Sequence, residues 1–171
     1  MSVIRRGALA LAAASLATIG AASSATIGLA PSASATASVT GTGGWGPPAP
    51  PVTISSRTAG GNTIVTQVVV LNDFGVLSGT DIDMITYTSH PDGTVTFRAV
   101  TDFTGMVAGR PGTTIALFFD GTGNTVSFQG HIRTLSGTGT GALATLHGEG
   151  PFQGSFTTGA GTYVFHYHFD S

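Results

Sequence analysis

The sequence predicts an all-β protein, a small closed antiparallel barrel of about eight strands. Three observations carry this. Beyond the first 35 residues, short runs of Thr, Val, Ile and Phe are separated by Gly, Asn and Asp, the punctuation of strands and turns. Nowhere in that part do apolar residues recur at helical spacing over three turns. Along the last segment, Tyr163, Phe165, Tyr167 and Phe169 alternate with Val164, His166, His168 and Asp170, which places each set on its own face of a strand.

The N-terminal segment stands apart. Arg5 and Arg6 precede a long run of Ala, Leu and Ile, and small residues close it, with Ala33-x-Ala35 and Ala35-x-Ala37 as cleavage sites. This is the order of an export signal. Ser, Thr and Gly interrupt the run and Pro31 follows, so it is a poor membrane anchor, and no membrane span is expected in the mature chain. The paired arginines admit a twin-arginine route. However, VIRRGAL lacks the polar residue before the pair and the aromatic after it, which favours ordinary secretion. Residues 1–35 are assigned to a signal peptide, and the mature protein is expected outside the cell. Residues 36–51, TASVTGTGGWGPPAPP, read as a flexible leader ending in a stiff proline segment. The folded domain is expected over residues 52–171.

Strands are expected near Val52–Arg57, Thr63–Asn72, Val76–Ser89, Thr94–Phe103, Thr113–Asp120, Asn124–Leu135, His147–Phe156 and Gly161–Asp170. His90–Gly93, Asp120–Asn124 and Asn72–Gly75 are the turns: in the first, Pro91 presets φ, Asp92 caps and Gly93 takes the left-handed position. Tyr163, Phe165, Tyr167 and Phe169 share a face opposite His166, His168 and Asp170. Ile115, Leu117 and Phe119 share one, as do Val126, Phe128 and Ile132. Val95, Phe97, Ala99 and Phe103 extend the apolar set. Such faces can be buried in a sandwich or a barrel. Long strands joined by short turns favour the barrel, which leaves no open edges.

The stretch SGTGTGALATLHGEG, Ser136–Gly150, contains a G-x-G-x-x-A match. A dinucleotide fingerprint also needs a helix opening at its last small residue within a βαβ unit. Ala142–His147 spans under two turns before GEGP breaks it, and no cation lies nearby. The glycines therefore read as a tight strand exit, with Leu143 and Leu146 tucked into one end of the core.

Gly139-Thr140-Gly141-x-Leu143-x-x-x-x-Gly148 resembles the GTG-x-F-x-x-x-x-G loop of the allene oxide cyclase and dirigent barrels, with Leu143 in place of the aromatic. More closely, YTSHPDGTVTF, SGTGTGALATLHGEGPF and GTYVFHYHFD resemble a bacterial family of small domains of unknown function built on that barrel. The resemblance runs from about Asn62 to Asp170. It implies an eight-stranded allene oxide cyclase-like, calycin-like barrel with an apolar interior. That bacterial family is expected to carry acidic residues where this chain has His166 and His168, which implies a solvent-facing side of that strand. No catalytic residue of the plant enzymes maps onto this chain.

Two constellations bear on chemistry. His166 and His168 share one strand face, His147 and Glu149 its neighbour's, and His131 lies one strand earlier; antiparallel neighbours at this spacing can gather nitrogens around a metal. Opposite a buried aromatic row, however, these histidines should face water, so no metal and no cofactor are assigned. Glu149, flanked by glycines, with Arg133 on the preceding strand, is the acid–base candidate, since a carboxylate tilted into a barrel mouth has its pKa raised. Its alternative is a surface pair with Arg133 or His131. Asp81 and Asp83 alternate with Ile82 and Met84 and are expected to point outward. Nucleophilic catalysis has no support: there is no cysteine and no G-x-S-x-G elbow.

Composition narrows the partners. Beyond the signal the chain has no lysine, and four arginines stand against eight acids, a formal charge of −4. Nucleic acid and anionic membranes both need clustered cations, so neither is expected; nothing excludes a homo-oligomer. The sequence therefore points to a secreted barrel binding an apolar small molecule among Phe97, Ile115, Leu117, Phe128, Tyr163, Phe165 and Tyr167. If it catalyses, the resemblance implies an isomerase or cyclase. The rival is a non-enzymatic, solid-core extracellular or envelope interaction module. A pocket of about 300 Å³ or more separates the two.

Overall fold

The computed structural model describes residues 36–170, with the side chains of Ile115 and Ala116 outside the described set. The expected signal peptide, residues 1–35, also lies outside the described residues. Nine strands follow in order: β1 (Val39–Gly46), β2 (Val52–Ala59), β3 (Asn62–Gly75), β4 (Leu77–Ser89), β5 (Val95–Val107), β6 (Arg110–Gly123), β7 (Ser127–Thr134), β8 (Leu146–Ser155) and β9 (Gly161–Phe169). Each pairs antiparallel with its neighbours in the order β1-β9-β8-β7-β6-β5-β4-β3-β2, and β1 also pairs with β3. Eight strands thus close a barrel. β2 stands outside the ring, on the first half of β3, while β1 takes the last four residues of that strand.

The expected leader, residues 36–51, is corrected here. Val39–Gly46 is the stave that closes the ring, with Val39 opposite Tyr167 and Trp45 opposite Gly161. Its sequence, VTGTGGW, looks too poor in apolar residues for a barrel strand, but its glycines are needed for space. A Cβ on Gly43 would lie 2.2 Å from the Tyr163 ring hydroxyl. The same holds around the barrel: Gly121 lies under Phe97, Gly130 under Phe152, Gly148 under Phe165, Gly154 under Phe128 and Gly161 under Trp45, with a Cβ 2.2–2.6 Å from each ring. Glycine weakens a bare strand; here a neighbouring ring covers each one.

The His90–Gly93 turn is built as its residues demand, whereas residues 72–75 and 120–123, expected as turns, are the ends of β3 and β6. Gly93 takes φ 84°, and the Asp92 carboxylate accepts from the Thr94 N–H at 2.9 Å. Ala108 and Gly109 form the two-residue β5–β6 turn with φ 51° and 79°. The glycine stretch plugs one end of the barrel. A single 3-10 turn, Gly141–Leu143, drops Leu143 into full burial, worth about 2 kcal/mol. The Thr140 N–H donates to the Thr113 carbonyl at 2.6 Å. Leu143, Leu146, Leu77 and Val107 seal this end, and Phe103, Leu117 and Phe165 pack solidly above it.

The final strand alternates as expected: Tyr163 and Phe165 are buried, and His166 is exposed. A register shift on the β5–β6 pair moves the buried position of β6 from Leu117 to Thr114. The expected row therefore holds for Phe119 and Leu117, while Ile115 belongs to the undescribed side chains. β4 overturns an expectation outright. Asp81 and Asp83 are 2% and 3% exposed, whereas Ile82 and Met84 are 52% and 61% exposed. Leu77, Ile85 and Tyr87 fix the parity of this strand, and the aspartates share their face. Met84 instead joins an outer apolar row of cross-strand partners, Val52, Val68, Met84, Val100 and Phe118.

Candidate functional site

The inward parity of β3 and β4 brings three carboxylates into the barrel. Asp73 sits on β3 opposite Gly79, and Asp81 on β4 opposite Leu71, so the two are diagonal neighbours on the inner face. Asp83 follows two residues on, opposite Thr101 of β5. The buried Thr101 hydroxyl donates a short hydrogen bond to Asp83 Oδ1. The Asp73 and Asp81 carboxyls lie near enough to influence each other's protonation. Carboxylates only accept, so a hydrogen bond between the two needs a proton on one of them. Asp73 Oδ2 and Asp81 Oδ1 have no hydrogen-bond partner among the described groups.

These acids line a cavity of about 60 Å³. Trp45, Phe97, Phe128, Phe152 and Tyr163 wall it, and among the described residues no arginine, lysine or histidine does. The surroundings hold protons on the acids. Desolvation raises Asp73 to about 6 and Asp83 to about 7, the latter against the lowering hydrogen bond from Thr101. Asp81 is raised well above the ordinary carboxyl value, by burial first and then by its two anionic neighbours. Burial and then Asp83 raise the Tyr87 phenol to about 12. The Tyr163 hydroxyl is a structural clasp: it accepts from the Leu77 N–H at 2.9 Å and faces the Phe74 and Leu77 carbonyls at 3.1 and 3.2 Å. The acid cluster can give and take protons near neutral pH inside an apolar chamber.

Above the cavity the barrel opens into a mouth of about 810 Å³. Cavity and mouth share Trp45, Leu71, Ile85, Tyr87, Phe128 and Phe156 as walls. One rim of the mouth is the proline segment, residues 47–51, held where the Trp45 indole N–H donates to the Gly159 carbonyl at 3.1 Å.

Of the residues assigned from sequence, Phe97, Phe128 and Tyr163 line the cavity. Leu117, Phe165 and Tyr167 line neither cavity nor mouth; they belong to the packed core toward the plugged end. Glu149 and Arg133 are cross-strand partners on the outer face, both exposed, with the Arg133 guanidinium 4.6 Å above the Phe118 ring. Neither reaches the interior. The four histidines do not gather. His131 is exposed on β7, and His166 pairs with the Thr40 hydroxyl at 2.9 Å. His147 and His168 do meet, as stacked rings 4.9 Å apart whose Nε2 atoms lie 2.9 and 3.6 Å from the Asp170 carboxylate. Among the described residues this outer trio is the set that can offer converging ligands to a metal.

The fold and site define a class: a closed eight-stranded barrel, plugged at one end, with an acid-lined chamber beneath an open aromatic mouth. The chain belongs to the DUF3224 family of proteins of unknown function, whose model matches residues 52–167. It is similar in fold to the crystal structure of a DUF3224-family protein of unknown function from Shewanella oneidensis MR-1. The two are 17% identical with a TM-score of 0.59, over 78% of this chain and 98% of that one. No curated protein matches the chain significantly.

Proposed function

We propose that this protein is an exported binding barrel that receives a small molecule through its mouth, apolar body uppermost, and engages the polar end with Asp73, Asp81 and Asp83. One observation carries the reading: three carboxyls are buried together, with no compensating cation among the described residues, beneath an aromatic passage that opens outward. Burying such groups is costly, and a core of similar volume without them would be more stable. Their presence there supports a use. The Arg5-Arg6 leader supports export. The acid–base role expected of Glu149 passes to the inner aspartates. The chemistry they support is proton transfer to a bound ligand, an isomerisation or cyclisation, in keeping with the glycine-loop resemblance to the allene oxide cyclase and dirigent barrels.

A ligand in this position occupies the mouth, because the enclosed cavity is far below the 300–1,000 Å³ of ordinary ligand pockets. That small volume also favours a second reading, a solid-core interaction module using the outer apolar row. One experiment separates them. Trp45, the single tryptophan, lines both cavity and mouth, so its fluorescence reports ligand entry. Titration with a panel of lipids, terpenes and aromatic metabolites should change it saturably, with a rise in melting temperature. A silent panel on both readouts favours the solid-core module.

A further inference from the structure

We propose that the polar end recognised in this barrel is an organic ammonium group. The inference rests on the reading that a ligand enters through the mouth, and it names that ligand's chemistry.

Four features select the head group. The floor offers carboxyl oxygens that no described group satisfies: Asp81 is 2% exposed, and its Oδ1, like Asp73 Oδ2, has no hydrogen-bond partner. An ammonium brings three donors and no acceptor. Second, the chamber gathers three carboxyls, and no cation lines it among the described residues. The polar and titratable groups facing it are Asp73 from β3, Asp81, Asp83 and Tyr87 from β4 and Tyr163 from β9, with the Thr101 hydroxyl of β5 behind Asp83, while β1, β7 and β8 contribute Trp45, Phe128, Ile132 and Phe152. A carboxylate ligand would meet repulsion there, whereas a cation restores neutrality. Third, the walls are π faces, which attract cations: Trp45 stacks parallel to Tyr163 at 6.4 Å and meets the Phe152 edge at 5.8 Å. Fourth, the three carboxylates do not converge as metal ligands do; among the described residues only the outer His147, His168 and Asp170 set does so. Donors spread over several directions suit them better than a point ion.

Size completes the description. A volume of about 60 Å³ accommodates roughly two waters' worth of liquid volume. It therefore takes an ammonium and its adjoining carbon, leaving the body among Tyr87, Phe128 and Phe156 at the mouth. A primary amine on an apolar or aromatic body fits; a bulky quaternary head does not. Seating the cation favours the ionised acids, so binding releases protons and strengthens as pH rises through the range where Asp73 and Asp83 ionise.

The test is a Trp45 fluorescence titration of the protein with primary alkyl- and arylalkylamines, 2-phenylethylamine among them, beside the matched alcohols and carboxylates. At pH 7.5 the amines should bind at least tenfold more tightly than the alcohols, and the carboxylates should not bind. Amine affinity should rise at least tenfold from pH 5 to pH 8. Asp81→Asn, and separately Asp83→Asn, should reduce the preference for amine over alcohol at least fivefold. If alcohols and amines bind equally with no pH dependence, or calcium ion alone reproduces the amine response, the ammonium assignment is overturned while ligand entry stands. If neither this series nor apolar hydrocarbons perturb Trp45, the mouth reading itself fails, and the assignment with it.

Discussion

Replacing Asp83 with asparagine should change how the protein's stability depends on pH. Asp83 has a folded pKa of about 7 against an ordinary 3.8, so the folded chain holds this proton more tightly than the unfolded one. Its contribution is fully present below about pH 4 and is lost as pH rises through about 7. At about 1.4 kcal/mol per pH unit, the difference corresponds to about 4 kcal/mol. Asp73, raised to about 6, acts in the same direction. The wild type should therefore lose at least about 2 kcal/mol of stability between pH 4.5 and pH 8. In Asp83→Asn the amide keeps an oxygen for the Thr101 hydroxyl and never has to be buried charged. Its stability should equal the wild type's within about 1 kcal/mol at pH 4.5 and exceed it by about 2–4 kcal/mol at pH 8. Urea unfolding followed by Trp45 fluorescence at four or five pH values measures both curves. Parallel curves for the two proteins, or a wild type whose stability climbs from pH 4.5 to 8, would refute the buried-acid argument.

Three further outcomes follow from the packing. Tyr163→Phe should cost about 1–3 kcal/mol in urea unfolding, because the buried Leu77 N–H loses its acceptor. Gly148→Ala places a methyl 2.2 Å from the Phe165 ring and should cost about 1–3 kcal/mol; Phe165→Leu in the same chain should recover part of it, so strictly additive losses would exclude the contact. Ala108→Asn relieves a non-glycine residue at φ 51° in a turn that favours Asn-Gly; the melting temperature should rise by roughly 2 °C or more, and a fall would argue against that turn geometry.

The barrel was legible in the sequence because side-chain period and turn chemistry are local properties. Tyr163, Phe165 and Tyr167 alternate with histidines, and Pro91-Asp92-Gly93 has one economical use; both survive into the structure. What failed depended on neighbours. In LSGTDIDMITY both faces of β4 are mixed, so local hydrophobicity favours burying Ile82 and Met84. The longer count from Leu77 through Ile85 to Tyr87 gives the opposite parity, and that was the available signal for Asp81 and Asp83. β1 was missed for a related reason: its inward glycines carry no hydrophobic signal, and the Val76 side chain and Tyr163 ring that fill the space beside Gly41 and Gly43 belong to partners revealed only by pairing. Of the aromatics at the mouth only Phe128 was assigned from sequence, and the proline segment that forms its rim looked like a spacer.

The pairing of β1 with β9 has a consequence for how the molecule comes into being. Val39 and Tyr167 are seam partners at opposite ends of the described chain, so the ring cannot exist until the last strand has been made. A β3–β8 intermediate would carry two raw edges and a half-dry interior, and the final seam must close the longest loop in the molecule. Folding should consequently finish in a single late step, after the whole polypeptide is available.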